Sequence, residues 1–142
     1  MRQFNRVFLM MSMGILALAM VACSTGGGAV SPEIASKNWI EAFFRADGET
    51  LRANMCNVQS AALTDGVLAQ LAQGLGSAGS TLDLSGLTYS YNQATSNVTI
   101  AGMVRVSLAG QTVERSLDLM QLDILPVVQE DGGWKVCLNL LR

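Results

Sequence analysis

Three cysteines are the residues of this chain best equipped for covalent chemistry: Cys23, Cys56 and Cys137. A thiolate can form a thioether or a disulfide or bind a metal, and spacing decides among these fates. No Cys-x-x-Cys pair occurs, and the 142 residues contain no histidine. The usual zinc ligand sets are therefore missing, and no metal site is expected. The same lack removes Ser-His-Asp and Cys-His arrangements, so no catalytic residue is assigned and a non-catalytic protein is expected. No residue set calls for a cofactor. Nine Lys and Arg stand against eleven Asp and Glu, a formal charge of −2, with no basic stretch. That balance carries no footprint for nucleic acid. The length suits one domain.

Cys23 closes a three-part leader. Arg2 and Arg6 are followed by an apolar run from Val7 to Val21, then by small residues at Ala19 and Ala22. This is the pattern of an export signal, and its run of about fifteen residues falls short of the ~20 that span a bilayer as a helix. Met20-Val21-Ala22-Cys23 resembles the lipobox of bacterial lipoproteins, with Met20 where that pattern prefers Leu. The resemblance implies a diacylglycerol thioether on Cys23, cleavage before it, and acylation of the new amino group, palmitate being a typical chain. The other reading is an ordinary secretory signal cut after Ala19 or Ala22, which leaves a free thiol. Residues 1–22 are thus expected to be removed, leaving 120 residues of formal charge −4 once Arg2 and Arg6 are lost. The expected partner of Cys23 is a membrane. By the same resemblance, Ser24 rather than Asp implies the outer membrane of a two-membrane envelope, or else the outer face of a plasma membrane. Residues 23–31, with Gly26-Gly27-Gly28, read as a lipidated flexible tether.

With Cys23 on lipid, Cys56 and Cys137 remain as an even pair in an oxidising compartment. A Cys56–Cys137 disulfide is expected, with two buried free thiols as the alternative.

The elements that carry these residues change period midway. Ser31-Pro32-Glu33 is a helix start, and Ala35, Trp39 and Phe43 step by four with Ile40 and Phe44 beside them, predicting a helix over 32–46. Asp47-Gly48 ends it, a short helix follows over 49–56, and Leu63, Val67, Leu68, Leu71 and Leu75 suggest a third. Residues 74–80 break the pattern. Gly74-x-Gly76-x-x-Gly79 matches the dinucleotide fingerprint in letters, but it follows a helix and precedes strands, so it reads as a loop. Beyond it Leu82, Leu84, Leu87, Tyr89 and Tyr91 alternate with polar residues, as do Val98 to Leu108. A strand over about 112–125 changes parity near Met120, where a β-bulge is expected. Glu130-Asp131-Gly132-Gly133 turns the chain into a last strand, Trp134 to Leu140. Asn97-Val98-Thr99 spells a glycosylation sequon, read here as a plain polar turn.

Helices followed by antiparallel strands predict an α+β domain over 32–142, with about three helices on a sheet of four or more strands. The aromatic first helix, the Ala46-Asp47-Gly48 break, the Glu49-Thr50-Leu51 helix and the Asp131-Gly132-Gly133-Trp134-Lys135-Val136 strand resemble the nuclear-transport-factor-2-like (cystatin-like cone) superfamily, and within it small lipoproteins of unknown function. The resemblance implies one strongly curved sheet with a pocket under the first helix, and a homodimer through the open sheet face. Trp39, Phe43, Tyr89, Tyr91 and Trp134 are the candidate pocket lining, for an apolar small molecule. Trp39, Phe43 and Trp134 also fit a plain core, and a protein partner fits the open sheet. Some isomerases of the superfamily pair an Asp base with a Tyr oxyanion donor, so Asp83 or Asp118 with Tyr89 is the alternative enzymatic reading, as a small isomerase or dehydratase. A purely structural envelope lipoprotein is a third.

Overall fold

The computed structural model describes residues 28–75 and 80–140. The expected signal peptide, Cys23 and most of the tether lie outside them. Among the described residues, no helix is long and apolar enough to cross a membrane.

Helix α1, Pro32–Arg45, starts where Ser31 Oγ accepts the Ile34 N–H and Pro32 occupies the first turn. It ends where Ala46 turns left-handed and the Asp47 N–H reaches back to the Ala42 carbonyl. Asp47 then caps α2, Gly48–Ala53, by accepting the Thr50 N–H, and that bond lowers the pKa of its carboxyl. The single third helix expected from the leucine pattern is two helices, α3 (Asn57–Ala62) and α4 (Asp65–Leu75). The break is fixed by Arg52, whose guanidinium donates twice to the Leu63 carbonyl and pairs with Asp65 at 2.6 Å.

The seven strands are β1 (Thr81–Asp83), β2 (Thr88–Asn92), β3 (Asn97–Ala101), β4 (Met103–Leu108), β5 (Gln111–Ser116), β6 (Ile124–Glu130) and β7 (Gly133–Val136). They form two antiparallel sheets, β1-β4-β5 and β2-β3-β6-β7. This corrects the single strongly curved sheet: the class is α+β, but neither sheet is strongly curled. The physical cause is one corner. Gly102, at φ +120°, separates β3 from β4, and a Cβ there would collide with the carbonyl oxygen of Gly86, which lies between β1 and β2. Both strands of the ribbon therefore bend at the same place, and the pairing register steps by one residue across it.

The bulge expected near Met120 is absent. A turn of 3-10 helix at Asp118–Met120 and a left-handed Gln121 reverse the parity instead. Leu117 and Leu122 are both buried, and the Leu122 N–H donates to the Leu117 carbonyl at 3.0 Å. The last strand is also shorter than expected, ending at Val136. The two-residue hairpin turns at Ala109-Gly110 and Asp131-Gly132 have positive φ at both positions, the twist that matches the flanking strands.

Helix α1 lies across the four-stranded sheet. Trp39, Ile40 and Ala42 meet Val98, Ile100, Leu125, Val127 and Val136 in the core. The expected disulfide is present: Cys56 is bonded to Cys137, clipping the chain before α3 to the end of β7. Beside it Val136 bonds through its backbone to Asn54 and Cys56, and Lys135 Nζ donates to the Ala53 carbonyl.

Candidate functional site

The polar side of α1 repeats every fourth residue: Glu33, Lys37, Glu41 and Arg45. At that spacing the four side chains lie in one row along the helix. Across from the row runs the chain from Leu82 to Tyr89, and between them is a groove of about 710 Å³. Ile34, Leu82, Leu84, Leu87 and the ring of Tyr89 supply its apolar lining, while the α1 row, Asp83, Ser85 and Thr88 supply polar groups. Leu87 is buried and Leu82, Leu84 and Tyr89 are half-buried against the core, so this lining is held by packing.

Two titratable groups of the groove have opposite character. Burial, with a smaller push from Glu41, raises the Tyr89 phenol from 10.0 to about 12. Tyr89 is therefore a neutral hydroxyl at physiological pH, able to donate a hydrogen bond. Asp83 accepts the Ser85 N–H at 2.9 Å and faces Arg105 at 3.8 Å, and these contacts, Ser85 first, hold its carboxyl below the ordinary range. Arg105 in turn donates to Glu114 at 2.7 Å across β4 and β5. Asp118 lies in the 3-10 turn, accepts the Leu119 N–H at 2.8 Å, and does not line the groove.

The five aromatic residues named from sequence do not converge on one cavity. Trp39 is 0 % exposed and stacks on Phe43 at 5.4 Å, so both belong to the packing under α1. Tyr91 meets Trp134 edge-on at 5.3 Å over the sheet. Tyr89 alone among the five lines the groove. Tyr89 and Tyr91 do share a face, as their alternation requires, but they serve different neighbours. Ile34, Leu82 and Leu84 were missed as lining, and the four-residue charge row on α1 was the available signal for this wall.

Two buried polar atoms, Ser36 Oγ and Trp39 Nε1, have no hydrogen-bond partner among the described residues. They sit three residues apart on the core side of α1, and each such orphan costs about 1–3 kcal/mol. Among the described residues, no group of His, Cys, Asp and Glu is placed to hold a metal ion.

Comparison with known protein families, with curated proteins and with solved structures finds no match to this chain.

Proposed function

We propose that this chain is an exported lipoprotein, held to a membrane by lipid on Cys23, whose folded part is a non-catalytic binding module. Its ligand site is the groove between α1 and the Leu82–Tyr89 segment, and that groove is the observation that carries the reading. Its volume lies within the ~300–1,000 Å³ of small-molecule sites, and it sets an apolar strip from Ile34 to Tyr89 beside a wall of polar and charged side chains. The fitting ligand has an apolar body and a hydrogen-bond acceptor for Tyr89. The leader and the Met20-to-Cys23 pattern support the anchor, and Ser24 supports the outer membrane of a two-membrane envelope, or otherwise the outer face of the plasma membrane.

The enzymatic alternative has less support. Asp83 and Tyr89 do line one groove, but a base for proton abstraction gains from a raised pKa, whereas that of Asp83 is lowered. A protein partner, a second copy included, is supported by β5, which has a strand on one side only and leaves Val113 exposed, with Leu108 exposed at the end of the neighbouring β4. The order of helices before antiparallel strands, with α1 across the sheet, supports kinship with the nuclear-transport-factor-2-like superfamily.

The test is binding of the apolar fluorophore N-phenyl-1-naphthylamine to a chain beginning at Ser24. Saturable binding is expected, weakened by about tenfold or more in Ile34→Glu, which puts a charge on the apolar lining. Ile34 is 43 % exposed, so the variant should keep its melting temperature. Absent binding to the parent chain, or equal binding to the variant, would contradict the groove.

A further inference from the structure

The folded domain begins before the helix cap. Trp134 donates its backbone N–H to the Ala29 carbonyl at 2.9 Å, extending the edge of β7. Gly28 lies so close over Gly133 that a Cβ at position 133 would collide with its backbone, while one at position 28 would be in tight contact with Trp134 and Gly133. Of the stretch read as a tether to residue 31, only Ser24 to Gly27 remain between Cys23 and this docked segment. Five peptide units join Cys23 to Gly28, and they span at most about 18 Å whatever their conformation. A domain of this size has a radius of gyration of about 13 Å, so the limit is little more than half its diameter. Whatever surrounds Gly28 must therefore stay near the lipid.

What surrounds it is a fastened end of the molecule. The Asn57 N–H at the start of α3 donates to Glu130 Oε2 at 2.8 Å, and Asn57 Nδ2 donates to Asp131 Oδ2 at 3.4 Å. These bonds tie α3 to the same β6–β7 turn on which Gly28 rests. Val30 and Val58, the two most exposed large apolar residues described, at 87 % and 75 %, stand beside these two attachments. With lipid on Cys23, the short reach would bring these side chains to a bilayer surface. The acidic Glu130 and Asp131 disfavour an anionic surface, so the charge at this end fits zwitterionic headgroups.

We infer that the end formed by residues 28–30, the start of α3 and the β6–β7 turn rests on a zwitterionic lipid surface, with Val30 and Val58 at the headgroup–acyl boundary. This rests on the lipid anchor at Cys23, and it adds a fixed orientation to that anchor. The depth available to such side chains is about 5–10 Å.

The test uses the full processed chain in phosphatidylcholine vesicles whose acyl chains are brominated near the headgroup. Val58→Trp and Leu108→Trp are compared, with the parent emission subtracted. Position 108 flanks the β4–β5 hairpin turn and is 47 % exposed, so both variants should fold. Emission added at position 58 should fall by about half and that at position 108 should hardly change, since quenching needs the ring at the boundary. A chain that does not float with the vesicles would overturn the anchor and this orientation together. A chain that floats but is quenched at neither position, or equally at both, would overturn the orientation alone, and absent quenching would leave the valines to a protein partner or to water.

Discussion

Tyr89 and Asp83 line one groove, yet their proton affinities are displaced in opposite directions, by burial at Tyr89 and by the Ser85 hydrogen bond at Asp83. The half-buried phenol cannot ionise without losing hydration, whereas the exposed carboxylate is held ionised by the Ser85 amide. A pH prediction follows for Tyr89. An unfolded phenol ionises near 10, and this one near 12, so between those values the unfolded chain binds fewer protons. Stability should be unaffected by this group below about pH 10 and should fall as pH rises from about 10 to 12. Tyr89→Phe should flatten that fall and remove the latest component of the tyrosinate absorbance titration; a titration unchanged in the variant would refute the assignment. At this scale much was readable beforehand. Cys56 and Cys137 were paired by count and compartment, and Trp39 was found on the helical stripe that becomes core. The groove was not readable, because Ile34 and Leu84 become its lining only when α1 is laid beside the Leu82–Tyr89 segment, and alternation alone says nothing of what faces a strand.

At the scale of elements, local signals placed α1, its cap at Ser31 and the Asp131-Gly132 turn, since each depends on a few adjacent side chains. The corner is different. Gly102 sat within an unbroken alternation from Val98 to Leu108, and only the approach of Gly86 from the neighbouring strand shows why no side chain fits there. The split of the leucine-rich helix has the same origin: Arg52 reaches the Leu63 carbonyl from 11 residues away. The parity change after Leu117 was visible, but its mechanism was not, because a bulge and a 3-10 turn leave the same mark on hydrophobic spacing. Gly102→Ala should destabilise the protein by roughly 1–3 kcal/mol from its backbone conformation alone, with the collision added. Urea unfolding measures this, and a loss under about 0.5 kcal/mol, the size of an ordinary surface change, would mean that the corner relaxes freely.

At the scale of the molecule, α1 and the disulfide join opposite ends of the chain. The Cys56–Cys137 bond closes a loop with a sequence separation of 81, for which chain entropy alone gives about 4.5 kcal/mol as an upper figure. The N-terminal segment enters along the edge of β7, where Ala29 bridges Trp134. The order of helices and strands was legible because its period changes once, near residue 80. The division into two sheets was not, since it depends on pairing between distant segments. The whole account turns on the fate of the Cys23 sulfur. The most direct measurement is the mass of the N-terminal peptide of the processed chain recovered from bacterial membranes. The account predicts that the peptide begins at Cys23 and carries a diacylglyceryl thioether and an amide-linked acyl chain. A peptide beginning elsewhere, or one whose Cys23 is a free thiol, would contradict it.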